Sequence, residues 1–397
     1  MKRTEVMLPK GYLFSAVEAA IKKPGRQDLA LIFSEQEALM TGMFTTNRVK
    51  AAPVRLDMKR IRSGKGRAIV VNSGNANACT GAQGAKDAAE LSERVAAAKG
   101  VKPDAVYVCS TGVIGTPMPM ERIRTKIPEL AGGLGKSTID DVAAAIMTTD
   151  SFPKVVRTSV KVGGTTVGIA GICKGAGMIS PHMATMLCFI LSDAAIARPA
   201  LDRALRDAVA GSFNRITVDG DMSTNDTVLM MANGLAGNAA ILVRSGAFRA
   251  FSSALSSVAA ELSAMIVRDG EGATRTVEVR VKNARSRDDA DKAAFAIANS
   301  LLVKTAIYGN DANWGRIIAA LGYAGIGMRE ERTDISIGRI MVARKGLGTG
   351  RDREAAEAMR KGNVGITVDL HMGRASARVL TCDLTEEYIK INAEYRT

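Results

Sequence analysis

The chain has 397 residues, of which 47% are hydrophobic and 24% charged, and its formal net charge is +14. This length and composition are those of a globular protein with two or three domains and a large apolar core. The sequence has no run of about 18 apolar residues, which a membrane helix would need. Its basic N-terminal stretch lacks the apolar segment of a secretory signal. Its basic residues are dispersed, which favours a solvated face over a nucleic-acid-binding surface.

Apolar or alternating runs predict strands, and apolar residues at helical spacing predict helices. In chain order these are a strand at 29–34, a strand at 67–74, a helix at 86–100, a strand at 105–112, a helix at 140–149, a strand at 165–173, helices at 201–216 and 252–270, and a strand at 276–282. Ser137, followed three residues later by Asp140, predicts a capping box before the 140–149 helix. Residues 365–384 alternate on both sides of a glycine-containing turn, which predicts a hairpin.

The order of these elements favours an α+β layered fold over a doubly wound sheet, because strands and helices mix without a strict βαβ alternation. A composition shift near residue 275 predicts a boundary before a smaller C-terminal domain. Two glycine-rich stretches, at 132–138 and 345–359, resemble phosphate-binding loops only in part. The first has Leu130 where a P-loop needs glycine and lacks a buried strand before it, and the second is better explained as a turn between a strand and a helix.

Cysteine and histidine usage limits the chemistry. The five cysteines are widely spaced without a CxxC pair, which argues against a disulfide framework or a zinc site and fits a reducing cytosol. The only histidines are His182 and His371, so a Ser-His-Asp triad or a histidine-based metal site would have to use one of these two. A hydrolase or transferase of this sequence is therefore expected to use a base other than imidazole.

Polar loops follow several of the predicted strands. The stretches 71–81, 218–228 and 309–316 are rich in Asn, Asp, Ser and Gly, which suits either a small polar substrate or tight turns closed by their own side chains. The strand at 105–112 ends in Thr111-Gly112. Backbone N–H groups at such a corner can serve as an oxyanion hole, although an ordinary turn explains the pair equally well.

One hydroxyl, Thr185, lies where a glycine-rich turn meets the apolar run 186–191, in the stretch KGAGMISPHMATMLCFILSD. Packing at the start of a buried element is one explanation, since threonine is β-branched. The other is a nucleophile activated by its own α-amino group, which cleavage of the Ala184–Thr185 bond would free. The small Ala184 and the preceding glycines and proline are compatible with such a cleavage.

The sequence resembles the ornithine acetyltransferase family, also called the glutamate N-acetyltransferase family, along its whole length. The stretches that carry the resemblance are FTTNRVKAAPV (44–54), VNSGNANACTG (71–81), STGVIG (110–115), IMTTDSFPK (146–154), KGAGMISPHMATML (174–187), VDGDMSTNDT (218–227), RDGEGATR (268–275), GNDANWGR (309–316) and INAEYRT (391–397). His182 departs from the pattern, because the family usually has an amide or a small polar residue there.

The resemblance implies a self-cleaving enzyme of the N-terminal-nucleophile type. It implies an α/β/β/α sandwich over 1–275, cut between Ala184 and Thr185 into an alpha chain (1–184) and a beta chain (185–397), and a C-terminal domain over 276–397 whose tail contributes to substrate binding. It also implies an assembly of two alpha and two beta chains. The implied roles are nucleophile for Thr185, oxyanion hole for Thr111 and Gly112, and substrate binding for Thr148 (with Thr149 beside it), Lys174, Thr185, Glu271, Asn392 and Thr397.

The implied reaction transfers the acetyl group of N2-acetyl-L-ornithine to L-glutamate through an acetyl-threonine intermediate, in cytoplasmic arginine biosynthesis. It needs no metal and no cofactor, and neither nucleic acid nor a membrane is an expected partner. Acetyl-CoA as a further acetyl donor stays open. The alternative is an aminopeptidase or amidase of related fold, in which water instead of glutamate resolves the acyl-enzyme.

Overall fold

The structure of the protein is a computed structural model that describes residues 8–180, 186–360 and 362–394. Its strands are β1 (Tyr12–Val17), β2 (Leu29–Phe44), β3 (Lys65–Asn75), β4 (Val106–Val113), β5 (Lys154–Val162), β6 (Thr165–Lys174), β7 (Leu187–Ser192), β8 (Thr227–Ala232), β9 (Thr276–Ala284), β10 (Asp334–Ile337), β11 (Ile340–Arg344), β12 (Leu347–Gly348), β13 (Val364–Asp369) and β14 (Ala375–Cys382). Its helices are α1 (Ala52–Arg60), α2 (Gly81–Lys99), α3 (Met120–Gly132), α4 (Ile139–Ala145), α5 (Arg198–Gly211), α6 (Gly246–Arg268), α7 (Arg287–Asn299), α8 (Leu301–Tyr308), α9 (Trp314–Gly322), α10 (Asp352–Met359) and α11 (Glu386–Glu394).

The first sheet has eight strands in the order β4-β3-β2-β8-β7-β6-β5, with β1 paired to β2. Its 16-residue strand β2 changes partners along its length: residues 29–34 pair with β1, and residues 39–44 pair with β8. A register shift between Phe33 and Ala38 marks the change in the pairing with β3. Strand β2 therefore joins two halves of the sheet, one formed with β1, β3 and β4 and the other with β8, β7, β6 and β5.

These two halves pack face to face between two layers of helices. Alternate residues of β3 show the arrangement: Val70 belongs to the core shared with α2 and α3, whereas Ile69 and Val71 belong to the core between the halves. In β7, Phe189 lies in that same central core and Ile190 in the core under α5 and α6. Side chains that alternate between two buried faces are what a double layer of strands requires. The predicted α+β fold with an α/β/β/α sandwich is confirmed.

A second sheet of six strands, in the order β12-β11-β10-β13-β9-β14, follows from Thr276 onward. Helices α7 to α10 cover one of its faces, and their apolar side chains share a core with β9, β13 and β14. This core lies within the range predicted for the C-terminal domain, and the domain boundary itself stays a prediction.

The hairpin predicted over 365–384 is wrong in its pairing, although both strands exist. Strand β13 pairs in parallel with β9, and β14 pairs antiparallel with the other edge of β9. The turn between β13 and β14 therefore crosses over β9. Alternation alone cannot reveal an inserted partner, because each strand shows the same buried face whether its neighbour is near or far in sequence.

Helix α4 differs from expectation in two details. Helix α4 ends at Ala145, so residues 146–149 lie beyond it. Its capping box joins Thr138 to Asp141, one residue later than predicted, because the Ser137 hydroxyl accepts a hydrogen bond from the Ala16 N–H instead. The stretch 132–138 is not a P-loop, because the helix α3 and not a buried strand precedes it. In 345–359, Gly346 lies in the tight turn of the antiparallel pair β11 and β12, as the turn interpretation predicts.

Helix α6 is long and apolar enough to cross a membrane by length and composition alone, and it is the one such helix in the part of the chain that the structure describes. Its apolar face is used inside the protein. Phe251, Leu255 and Leu262 are fully buried against the first sheet and α5. The helix is therefore accounted for as the outer layer of the sandwich.

Candidate active site

One cavity gathers the residues that the sequence predicted from separate motifs. It is lined by Ala76, Thr111, Gly112, Ile114, Thr148, Thr149, Lys174, Gly177, Met178, Ser223, Thr224, Asn225, Glu271 and Asn392. All predicted site residues that the structure describes are in this set. The others, Ala184, Thr185 and Thr397, lie outside the described residues, as does His182.

The Thr111-Gly112 corner is where β4 meets the parallel strand β3. Gly112 has a φ of +133°, and a Cβ built there would lie 2.2 Å from the backbone carbon of Gly74. Only glycine allows the two strands to approach so closely. The corner is fixed from the other side by Asn225, whose side-chain N–H donates to the carbonyls of Ala76 and Ser110 at 2.7 Å each.

A buried carboxylate organises a second wall of the cavity. Asp150 accepts hydrogen bonds from the backbone N–H of Thr148 at 3.0 Å and of Gly175 at 2.6 Å, and from Lys154 Nζ at 2.8 Å. Lys174 Nζ lies 3.9 Å from the same carboxylate. Thr148 and Lys174, which are far apart in sequence, are thus held beside one another.

The charges of this wall are coupled. Burial disfavours the ionised form of Asp150, but the ammonium groups of Lys174 and Lys154 outweigh it and lower the pKa of that carboxyl to about 2. Burial also lowers the pKa of Lys174, which the neighbouring Asp150 partly counteracts. A buried lysine whose ammonium group faces a cavity suits an anionic substrate group.

Replacing Asp150 by asparagine is expected to destabilise the protein at pH 7 by about 2 kcal/mol or more, because a carboxyl pKa lowered by roughly two units contributes that much when ionised. A carboxyl group whose pKa is lowered by folding stabilises the protein at pH values above its unfolded-state pKa near ~4. This stabilisation is lost as the pH falls toward the folded-state pKa of about 2. Urea unfolding at pH 7, 5 and 3 should therefore show the difference from wild type shrinking at pH 3. The control is Asp104→Asn, since Asp104 has 91% of its side chain exposed and lies 3.9 Å from Arg60. Equal pH slopes for wild type and Asp150→Asn would contradict the assignment.

The third wall comes from the loop after α6 and from the C-terminal helix. The Glu271 N–H donates to the carbonyl of Ala176 at 2.9 Å, and Glu271 Oε2 accepts from Asn392 Nδ2 at 2.8 Å. A Cβ on Gly177 would lie 2.3 Å from that carboxylate, so glycine lets Glu271 rest against the loop before the predicted cleavage site. Helix α11 is thereby joined to the cavity.

Two aspartates hold the chain on either side of residues 181–185. Asp219 accepts from the N–H of Met178 at 2.6 Å and of Ile179 at 2.8 Å, and Asp226 accepts from the N–H of Met186 at 3.0 Å. We call Asp219 and Asp226 the carboxylate clamp. Met186 is bonded directly to Thr185, so the clamp fixes the backbone next to the predicted nucleophile.

Asp226 is fully buried. Its Oδ1 accepts a hydrogen bond from the Met186 N–H. Burial raises the pKa of this carboxyl well above its usual range, against the opposing effect of the Met186 N–H. Burial therefore favours the protonated form of Asp226 more than it would that of an exposed aspartate.

The clamp and Asn225 are residues of the candidate site that the sequence did not single out. The sequence predicts a polar loop at 218–228, which suits either a small polar substrate or tight turns. Its composition does not reveal which distant N–H and carbonyl groups it binds. His371 lies outside the cavity, where its Nε2 is 3.0 Å from Asp334, so the one described histidine takes no part in the site.

Comparisons with known proteins show the family of this chain. The ArgJ family model matches residues 13–397. The arginine biosynthesis bifunctional protein ArgJ of Geobacter sulfurreducens is 55% identical over 98% of this chain and 99% of its own, and that of Symbiobacterium thermophilum is 49% identical over 99% and 98%. The crystal structure of the arginine biosynthesis bifunctional protein from Bacillus halodurans is 44% identical, covers 52% of this chain and 98% of its own, and has a TM-score of 0.50. With a family match over nearly its whole length, the chain belongs to the ArgJ family.

Proposed function

We propose that the protein transfers the acetyl group of N2-acetyl-L-ornithine to L-glutamate, through an acetyl ester on Thr185, as a step of arginine biosynthesis. Membership of the ArgJ family supports this function. The observation that carries it is the convergence of six residues from five separate parts of the chain on one cavity, namely Thr111, Gly112, Thr148, Lys174, Glu271 and Asn392.

Cleavage between Ala184 and Thr185 would give an alpha chain (1–184) and a beta chain (185–397). The solved chain of the Bacillus halodurans relative supports a division near the middle, because 98% of that chain matches only 52% of this one. The two products would stay together, since β6 and β7 lie on opposite sides of the cut and pair along their length. Two alpha and two beta chains form the proposed assembly.

In the first half-reaction the Thr185 hydroxyl attacks the acetyl carbonyl, with the freed α-amino group of Thr185 taking the hydroxyl proton. The Oγ–C bond forms, the amide C–N bond breaks, and the proton passes to the departing nitrogen of ornithine. Thr111 and Gly112 would stabilise the oxyanion, a contribution typically worth on the order of 10²-fold in rate or more. In the second half-reaction the amine of glutamate attacks the ester carbonyl. The new C–N bond forms, the Oγ–C bond breaks, and the proton lost by the amine passes to Thr185 Oγ as N-acetylglutamate leaves.

The substrate would be held by charges of both signs. Lys174 is 3% exposed, so its ammonium group can bind a substrate carboxylate with little competition from water. Glu271, oriented by Asn392, would face the side-chain ammonium of ornithine, and Thr148 and Thr397 would complete the contacts. This chemistry requires neither a metal nor a cofactor. We further propose that acetyl-CoA serves as a second acetyl donor. The proposed location of the protein is the cytoplasm.

Incubation with N-acetylornithine, with and without glutamate, tests the function. We expect ornithine and N-acetylglutamate to form in equal amounts, with little free acetate when glutamate is absent. Acetate release that does not depend on glutamate would instead indicate the aminopeptidase or amidase alternative. A parallel incubation with acetyl-CoA and glutamate tests the second donor, and failure to form N-acetylglutamate there would restrict the protein to acetyl recycling.

A further inference from the structure

A second cavity of about 610 Å³ lies between the uncovered face of the second sheet and the helices α5 and α6. It shares no lining residue with the active-site cavity. Its walls are formed by residues of α5, α6, β9 and β14 and by the segments that adjoin them. This volume lies within the range of small-molecule sites, roughly 300–1,000 Å³.

The lining of this cavity carries cations and no carboxylate. Its charged residues are Arg215, Arg280, Lys282, Arg287, Arg374 and Arg378. We call these six residues the basic groove. Two carboxylates just outside it offset part of the charge, since Glu278 pairs with Arg280 and Arg378, and Asp291 pairs with Arg215 and Arg287. Lys282 and Arg374 form no ion pair with a carboxylate among the described residues.

The sheet register makes this concentration of charge costly. Arg378 of β14 lies directly opposite Arg280 of β9, and like charges at directly opposed positions destabilise an antiparallel pair. Lys282 extends from the same face of β9, two residues further on. Glu278 compensates the two arginines in part, and a bound anion would compensate the remaining charge. An unfavourable arrangement inside a concave surface is typical of a functional site.

We propose that the basic groove binds a small ligand with two or more phosphate groups. Guanidinium groups bind phosphate through paired N–H donors, and those of Arg280 and Arg378 are already oriented by Glu278. Several cations around one cavity match a multiply charged anion better than an amino acid with one or two carboxylates. The groove accounts for part of the +14 net charge, which the acetyl-transfer site leaves unexplained.

Calorimetric titration of the intact protein with inorganic tripolyphosphate tests this site. We expect saturable binding with one ligand per chain, weakening steeply as the salt concentration rises. The double variant Lys282→Gln/Arg374→Gln should weaken the affinity at least about tenfold, since a hydrogen bond to a charged group contributes roughly 1.5–3 kcal/mol. These two residues have no carboxylate partner, so their replacement leaves no acidic group unpaired. Acetyl transfer without phosphate should be unchanged, which separates this test from that of the proposed function.

The matched control is Lys102→Gln/Arg353→Gln, which removes the same two charges from exposed positions outside the groove. Equal weakening by both double variants would overturn the proposal, because it would show a general effect of net charge. Absence of saturable binding at low salt would also overturn it. Tighter binding of a single-stranded oligonucleotide than of tripolyphosphate at about 150 mM salt would assign the groove to nucleic acid instead.

Discussion

Replacing Thr185 by alanine is expected to leave the chain uncut and without acetyl-transfer activity. Alanine removes the hydroxyl that would attack the preceding carbonyl during cleavage and the acetyl group during catalysis, and no neighbouring base can compensate for an absent nucleophile. Denaturing electrophoresis should show one band of about 41.8 kDa, the mass of the whole chain, in place of two fragments. The rate of N-acetylglutamate formation should fall to background.

Two controls separate the nucleophile from its surroundings. Thr185→Ser keeps both the hydroxyl and the amino group that cleavage frees, so this variant should still divide and retain part of its activity. Ser180→Ala removes a nearby buried hydroxyl and should divide as wild type does. Intact-mass measurement of wild type incubated with N-acetylornithine alone should place one acetyl group on the beta chain. A cleaved, active Thr185→Ala protein would refute the assignment.

The layers of the fold could be predicted because each depends on local alternation. The strands at 67–74 and 105–112 are present in the structure as β3 and β4, and both of their faces are buried, as strands inside a sandwich require. The pairing of the strands could not be predicted from this alternation. The insertion of β9 between β13 and β14 depends on which buried edges meet after the chain has folded, and the side-chain pattern of the two outer strands is the same in either arrangement.

The candidate site likewise has features that the sequence could predict and features that it could not. Thr111, Lys174 and Glu271 could be named because their motifs resemble a known family, and the cavity brings them together. The contacts that hold them could not be named. Asp150 binds N–H groups on both sides of β5 and β6, and Asn225 reaches the ends of two strands more than 100 residues away in sequence. Composition shows that such side chains are polar, but only the fold decides which buried groups they satisfy.

Replacing Asp226 by alanine is expected to slow both chain cleavage and acetyl transfer by about 10²-fold. The substitution leaves the buried Met186 N–H without its acceptor, which costs roughly 1–3 kcal/mol, and a displacement of about 1 Å at a reacting group can cost that factor in rate. Because β7 begins at Leu187 and pairs in parallel with β8, the backbone adjoining Thr185 would lose its anchor while the sheet itself remains. Time courses of precursor cleavage and of N-acetylglutamate formation measure the two effects.

Asp226→Asn distinguishes anchoring from proton transfer. Asparagine keeps an oxygen that accepts from Met186 and has nearly the same volume, so we expect cleavage and activity within about tenfold of wild type.

The pH dependence of stability should also differ between Asp226→Asn and wild type. A buried carboxyl with a raised pKa loses stability as the pH rises from its unfolded value near ~4 toward its folded pKa, whereas asparagine does not ionise. Urea unfolding should therefore show the asparagine variant gaining stability relative to wild type between pH 4 and 7. If asparagine instead abolishes cleavage as completely as alanine, the carboxyl proton itself is required and anchoring alone is the wrong explanation.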